Sequence, residues 1–466
     1  MKSLEQLHQP EDTPAVYVVH GIGKQNRGET AAQLYGNFED AMEAIVEWQK
    51  NQSDVVPRRL EHLPYTWEGY WADYDNPENT LSPLWDKYTD EEKDFCRELW
   101  GHRVISAGAT YRWSVRQVFR LWFNPFRLLK VTKWRFLLAW PLYGLMTLFT
   151  LPLLTVVYLR KSQVMRDYLN DVRLYVDPRG KIEQEIVASV DKSIRFDIMR
   201  LIGLAPDFRP LSPDNQMSVL GRKRRFKRVI WVAHSLGTVI SYNVLAKLVE
   251  EAVILEKEGD AEQQKGVALF RECLARFVTL GSPLDKIAYL FRGRLRPWPR
   301  VKESTADNPH EEEHFVNRDE FFNQADDFKG WLVGEHKEWW INFYHVLDPV
   351  SGSLDSQHIC GDKPPANFHA RSCLIPGVAH VAYWKDLATL RFILSRAYGR
   401  TELRDKPISD WPSWLLTLLA AGAYLVWAVL MAVGIVVMVA WGWQFVQSTW
   451  GEINEMVSGL LSIIRS

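Results

Sequence analysis

Cysteine is scarce in this chain of 466 residues. Its four cysteines, Cys96, Cys273, Cys360 and Cys373, show no CxxC spacing. That excludes a disulfide framework and a cysteine-built zinc site, and it suits reduced thiols in a cytosolic setting. Net charge is also missing, since 56 Lys and Arg meet 57 Asp and Glu. Global electrostatics therefore point to no nucleic-acid partner. The opening "MKSLEQLHQPEDTPA" lacks the basic start and apolar core of a secretory signal, so the first domain is expected on the cytoplasmic side. No internal repeat is visible.

Two further absences are local. Residues 99–166 contain no Asp or Glu but carry Arg103, Arg112, Arg116, Arg120, Arg127, Lys130, Lys133, Arg135, Arg160, Lys161 and Arg166. Inside this stretch, "FLLAWPLYGLMTLFTLPLLTVVYL" (136–159) is free of charge for 24 residues, long enough to span a bilayer as a helix. A second charge-free run extends from Trp411 to Gly451, with Trp411, Trp414, Trp441 and Trp443 at its ends. Tryptophans in such positions mark membrane interfaces, and 411–447 is expected to be a transmembrane segment. The tail 451–466 spaces Ile453, Met456, Val457, Leu460, Leu461 and Ile464 helically. That apolar stripe suits a membrane surface or a packed partner helix.

The remainder alternates strands and helices. Strands are expected at 15–20, 228–233, 276–280 and 341–346, and helices at 29–48, 182–193, 238–256 and 383–398. The implied architecture is α/β, a mostly parallel sheet with helices on both faces. It would comprise 1–98 and 167–400, interrupted by the basic, aromatic insertion 99–166, with a possible cap at 287–340. In that cap "WPRVK", "FVNRDEFF" and "KGWLVGEHKEWW" would supply an aromatic wall.

Chemistry concentrates in "VIWVAHSLGTVIS" (229–241). A strand that passes straight into a helix through one residue bends sharply there, and positions two before and two after must be small. Ala233-His234-Ser235-Leu236-Gly237 meets this requirement, with alanine where G-x-S-x-G has its first glycine. The competing role for Ser235 is simply to cap the following helix. A nucleophile needs a base and an acid. Asp348 follows the 341–346 strand, with Asp285 and Asp355 as rivals, and His380 lies in a turn before a helix. An oxyanion hole would pair the backbone N–H of Leu236 with that of Ile22 in "VVHGIG". His20, Gly21, Gly23 and His234 support these turns, the two histidines as orienting groups rather than proton carriers, and His345 is expected to be structural.

Five blocks in this order, "VHGIGKQNRGET", "VAHSLGTVIS", "VTLGSPLD", "NFYHVLDPVS" and "VAHVAYW", resemble the α/β-hydrolases of the lipase and serine-esterase type. The resemblance covers roughly 14–65 and 170–400, not the apolar segments. It implies acyl-ester hydrolysis, with Ser235 as nucleophile, His380 as general base then acid, and Asp348 holding the imidazole. It implies no cofactor and no metal. With the chain opening directly on "VYVVH", a reduced sheet is expected.

Two charged runs stand apart. "HEEEH" (His310–His314) matches the H-E-x-x-H zinc-peptidase pattern, but its polar, proline-containing approach reads as an exposed acidic loop or helix start. "GRKRRFKR" (221–228) is a solvated loop or a contact for anionic lipid, at the far end of its strand from Ser235. The expected partners are thus membrane lipids and an ester substrate, with homo-oligomers possible through the apolar segments. The alternative class is a non-catalytic membrane scaffold that retains a hydrolase shell.

Overall fold

The computed structural model describes residues 13–21, 29–50, 63–69, 172–178, 181–216, 218–219, 222–223, 225–290, 295–305, 308–322, 338–345, 348, 350–370 and 378–398, together with 422, 426, 429 and 433. The expectations for Ile22, Gly23, the 99–166 insertion, nearly all of 411–447 and the 451–466 tail lie outside these residues. Gly422, Val426, Val429 and Val433 are helical, and the three valines are exposed. No helix among the described residues is long and apolar enough to cross a membrane.

Six strands form the main sheet: β1 (Ala15–Val19), β2 (Tyr65–Gly69), β5 (Val229–His234), β6 (Leu274–Leu280), β9 (Trp340–Tyr344) and β10 (Ala366–His369). The numbers between them belong to two small ribbons, β3 (Ser218–Val219) with β4 (Arg222–Lys223), and β7 (Arg300–Thr305) with β8 (Asn308–Phe315). The main order is β10-β9-β6-β5-β1-β2, and every neighbouring pair is parallel.

Continuous apolar strands are what a sheet covered on both faces requires. All residues of β1, β5 and β6 are buried. Alternate residues serve opposite cores. Tyr17, Val19, Trp231 and Ala233 face one cluster, built with α2 (Lys181–Ile202), α3 (Leu236–Glu258) and α4 (Ala261–Cys273). Val16, Val18, Ile230 and Val232 face the other, which takes Leu34, Phe38 and Ile45 from α1 (Glu29–Lys50) and Leu390, Phe392 and Ile393 from α9 (Leu387–Tyr398). Each such side chain contributes about 1.5–3 kcal/mol by leaving water. The α/β architecture read from the alternating pattern is therefore present.

The order reverses beside β1. From there the chain moves outward to β2, then returns to the other side for β5, β6, β9 and β10. α1, which follows β1, and α3, which follows β5, consequently lie on opposite faces of the sheet, as at a topological switch point. Gly21 and Ser235 follow the carboxyl ends of β1 and β5.

Three expectations need correction. "HEEEH" is neither loop nor helix start: it lies within β8, where it pairs with β7. Residues four apart in a strand are separated by about 13 Å, so His310 and His314 cannot chelate one zinc ion as they would on a helix. No metal-ligating cluster occurs among the described residues. Among the described residues, aromatics expected to wall the 287–340 cap are core instead: Trp298, Phe321, Phe322, Trp339 and Trp340 are all buried in the α2–α4 cluster. α6 (Arg318–Phe322) sits at the start of β6 rather than over its end: Arg271 Nε donates to the Phe321 carbonyl at 2.8 Å, and Trp339 Nε1 to that of Leu274 at 2.8 Å. The competing role of Ser235 is also unfilled: it holds the N-cap position of α3, but its side chain makes no capping bond.

Candidate active site

Ser235 stands between β5 and α3 with φ 55° and ψ −130°. Apart from Phe208 it is the sole described non-glycine residue with positive φ. Such a conformation costs about 1–3 kcal/mol and persists only where the surroundings enforce it. Here the enforcement is local and backbone-based. The Ser235 amide donates to the Leu280 carbonyl at the end of β6 (3.0 Å), while the Ser235 carbonyl accepts from the Thr238 amide (3.0 Å) and hydroxyl (2.7 Å).

The turn after β1 presses against this bend. A β-carbon on Gly21 would collide with the Leu236 amide nitrogen and lie 2.7 Å from the His234 carbonyl oxygen. One on Gly237 would collide with the Val19 carbonyl oxygen. Neither glycine has room for a side chain. This contact brings the residue before Ile22 against the Leu236 amide, the two expected oxyanion donors; Ile22 and Gly23 themselves lie outside the described residues.

His380 and Asp348 complete a hydrogen-bonded chain with the serine. Ser235 Oγ is 2.7 Å from His380 Nε2, and His380 Nδ1 is 2.8 Å from Asp348 Oδ2. A carboxylate accepts only, so Nδ1 carries the proton and Nε2 is free to accept the serine proton. All three residues are buried. Burial by itself would raise the Asp348 carboxyl pKa. Its hydrogen bond with His380 and that ring's charge, with the Val350 amide and Ser351, outweigh burial and hold it at about 2. Asp348 is thus an anion throughout the neutral range, as the hydrogen bond it accepts from His380 Nδ1–H requires.

His234 and His20, expected to orient the turns, lie beside His380 and Trp384. His234 Nε2–H donates to the His380 backbone carbonyl at 2.7 Å, which pins the turn that carries the imidazole. The His20 ring lies 5.0 Å from that of His234 and stacks on Trp384 at 6.0 Å. Burial, followed by the charge of His380, pushes His20 down to about 4 and His234 well below the ordinary histidine value. Both rings are neutral at pH 7. His345 follows β9, is buried, and is held below its usual pKa chiefly by that burial.

The rival acids are engaged elsewhere. Asp285 opens α5 (Leu284–Leu290), where Oδ2 accepts the amides of Asp355 (2.8 Å) and Ser356 (3.1 Å), and burial raises its pKa to about 6. The Asp355 carboxylate accepts from Ser353 Oγ at 2.9 Å.

Sequence reasoning missed the groups that hold the acid loop. Asn342 in β9 reaches both neighbouring strands: its Oδ1 accepts from Thr279 Oγ1 (2.9 Å), and its Nδ2 donates to Asn367 Oδ1 (2.8 Å) and to the Gly352 carbonyl (3.0 Å). Asn367 in turn takes the Leu354 amide at 2.9 Å. Lys286 of α5 donates to the Ser351 carbonyl at 2.7 Å, and burial lowers its pKa to about 8 despite the pull of Asp348. Gly281, at φ 61°, lets Tyr383 and the acid-base pair close in; a β-carbon there would stand 2.8 Å from Tyr383 Cε2. Its one signal was position: "GSP" directly follows an apolar strand. Compared with protein families, curated proteins and solved structures, the chain matches none.

Proposed function

We propose that this chain is a membrane-anchored serine hydrolase that cleaves carboxylic esters, lipid acyl esters foremost, through an acyl-enzyme on Ser235. The observation that carries the proposal is the hydrogen-bonded run from Ser235 through His380 to Asp348, ending on a strained turn at the switch point of a parallel sheet. In this reading His380 Nε2 removes the Ser235 proton as Oγ attacks the ester carbonyl. The Leu236 amide, with Ile22 as its expected partner, receives the oxyanion. His380 then returns the proton to the departing alcohol. A water activated by the same imidazole releases the acid and restores the serine, so ester and water give acid and alcohol.

The strand order supports an α/β-hydrolase core with a reduced sheet. The serine follows β5, the acid follows β9 and the histidine follows β10, which is the order Ser, Asp, His of that fold.

Membrane attachment rests on the two charge-free runs, and the sheet constrains their topology. β1 and β2 precede 136–159, β5 follows it, and β1 pairs with β5. One sheet occupies one compartment, so the intervening chain crosses the bilayer an even number of times or not at all. With Pro141 and Pro152 inside it and basic residues on both sides, 136–159 fits a monotopic insertion that enters and leaves on the cytoplasmic face. The 411–447 run is under no such constraint and serves as the anchor.

A fluorophosphonate probe tests the reading. The full chain in detergent should be labelled, and Ser235→Ala should abolish labelling. A folded wild-type protein that is not labelled would instead support the scaffold reading.

A further inference from the structure

The Asp348 carboxylate is held from more sides than orienting one imidazole requires. Oδ1 accepts the Val350 amide at 2.8 Å, while Oδ2 accepts both His380 Nδ1–H at 2.8 Å and the Tyr383 hydroxyl at 3.0 Å. Tyr383 lies three residues beyond His380, in a single 3-10 turn (Ala382–Lys385) that follows α8 (Val378–Val381). The same short segment therefore presents an imidazole and a phenol to one carboxylate oxygen.

The phenol is itself fully engaged. Its oxygen accepts the His345 amide at 2.8 Å and lies 3.0 Å from Ser351 Oγ. A phenol has one proton, and an ionised carboxylate can only accept, so that proton goes to Asp348 and the Ser351 hydroxyl is left to donate. His345 N–H marks the end of β9 and Ser351 the acid loop. Tyr383 thus joins strand, loop and carboxylate at one atom. Its ring is fully buried and packs on Gly281, whose missing side chain leaves the space. Burial, then the neighbouring Asp348 charge, keep the hydroxyl protonated well beyond its ordinary range.

We infer that Tyr383 is a positioning residue for the proposed reaction, its hydroxyl fixing the Asp348 carboxylate and thereby the orientation and basicity of His380. This rests on the serine-hydrolase reading. A merely space-filling tyrosine would need its ring but not its hydroxyl.

The sign of the pH effect follows. Without the phenol, Asp348 Oδ2 has one donor fewer and becomes a stronger acceptor for His380. The imidazolium is then favoured, and the free base appears only at higher pH. Other titratable groups that face this cluster are His345, with Asp386 behind it, His234 from β5 and Lys286 from α5. Burial lowers His234 and His345 and raises Asp285 of α5 to about 6, and none of these groups bonds the 383 hydroxyl through its side chain, so a displacement of the limb between chains that differ only in that hydroxyl reports on the Asp348–His380 pair.

The test is hydrolysis of a p-nitrophenyl ester by the full chain in detergent, with pH profiles for wild type, Tyr383→Phe and a chain carrying a fluorinated tyrosine at 383. Phenylalanine should lower kcat about 10- to 100-fold, the scale of one lost charged hydrogen bond, with KM little changed. Its acid limb should move up in pH. The fluorinated phenol, a stronger donor of the same shape, should move the limb down, and it decides the matter if the phenylalanine variant does not fold. Identical acid limbs for wild type and the fluorinated chain would overturn the inference. Ser235→Ala, run in parallel, separates the two levels: if it keeps full activity the hydrolase reading fails, and this inference with it. If it is inactive while both Tyr383 variants behave as wild type, the inference alone fails.

Discussion

At the turn after β5, Ser235 is held by backbone: two glycines without room for a β-carbon, an amide bonded to the Leu280 carbonyl, and a carbonyl bonded into the first turn of α3. In the loop after β9, Asp348 and the residues behind it are held by side chains from elsewhere, namely Asn342, Asn367, Lys286, Asp285 and Tyr383. The first arrangement stores strain in a few covalently adjacent residues. The second spreads the constraint over β9, β10, α5 and the turn after α8. Backbone contacts are rigid and intolerant of any added atom, whereas a side-chain network can lose one member and keep part of its geometry.

The contrast is broken most sharply at Gly21. Gly21→Ala places a methyl group on the Leu236 and His234 backbone, which cannot move aside without dislodging Ser235. We expect a loss of about 3 kcal/mol or more in urea unfolding, at the upper end for overpacking, together with loss of probe labelling. A variant with unchanged stability would show that the backbone grip on the turn is weaker than described. The acid loop should yield more gently. Asn342→Leu removes three bonds and takes the side-chain donor from the Gly352 carbonyl, while Thr279 Oγ1 keeps Trp340 Nε1 and the Ile341 carbonyl, for an expected cost of about 1–3 kcal/mol. Hydrolysis should fall while labelling of Ser235 persists at a reduced rate.

A pH-dependent effect concerns the histidines beside the Ser235 turn. His20 titrates at about 4 in the folded chain, below its unfolded value near 6.5. A depressed histidine contributes stability that is present above the unfolded pKa and is lost as pH falls through the folded one. The difference in unfolding free energy between wild type and His20→Asn should therefore shrink from pH 7 towards pH 4. Asp285 and Asp191, both raised to about 6, act in the opposite sense, contributing most at low pH and losing that contribution as pH rises through 6. Subtracting the variant cancels them. A difference that does not vary with pH would mean that His20 is not held neutral.

The same contrast explains what could be read from the chain. Strands β1, β5 and β6 are unbroken apolar runs with β-branched residues, and Ser235 sits in a five-residue pattern dictated by local sterics, so both were legible. Asp348 and His380 were singled out by their order after strands, and the structure joins both to Ser235 by hydrogen bonds. By comparison, β2 (YTWEG) and β10 (ANFH) are short edge strands with little apolar periodicity, and they exist because β1 and β9 offer them partners. The β7–β8 ribbon was hidden by charge: "HEEEH" has no apolar alternation, yet its Glu312, Glu313 and His314 pair with β7. Nor could the roles of Asn342, Lys286 and Tyr383 be read. Each depends on contacts across tens of residues, such as the 38 that separate His345 from Tyr383.

The central claim is that Ser235 carries an acyl group during turnover. Intact-protein and peptide mass spectrometry after brief exposure to a p-nitrophenyl ester at low pH, where deacylation is slow, tests it most directly. The account predicts a mass increase of one acyl group on the peptide containing Ser235, absent in Ser235→Ala and lost on return to neutral pH. Ester cleavage by the wild-type chain with no acylated peptide, or with equal cleavage by Ser235→Ala, would contradict it.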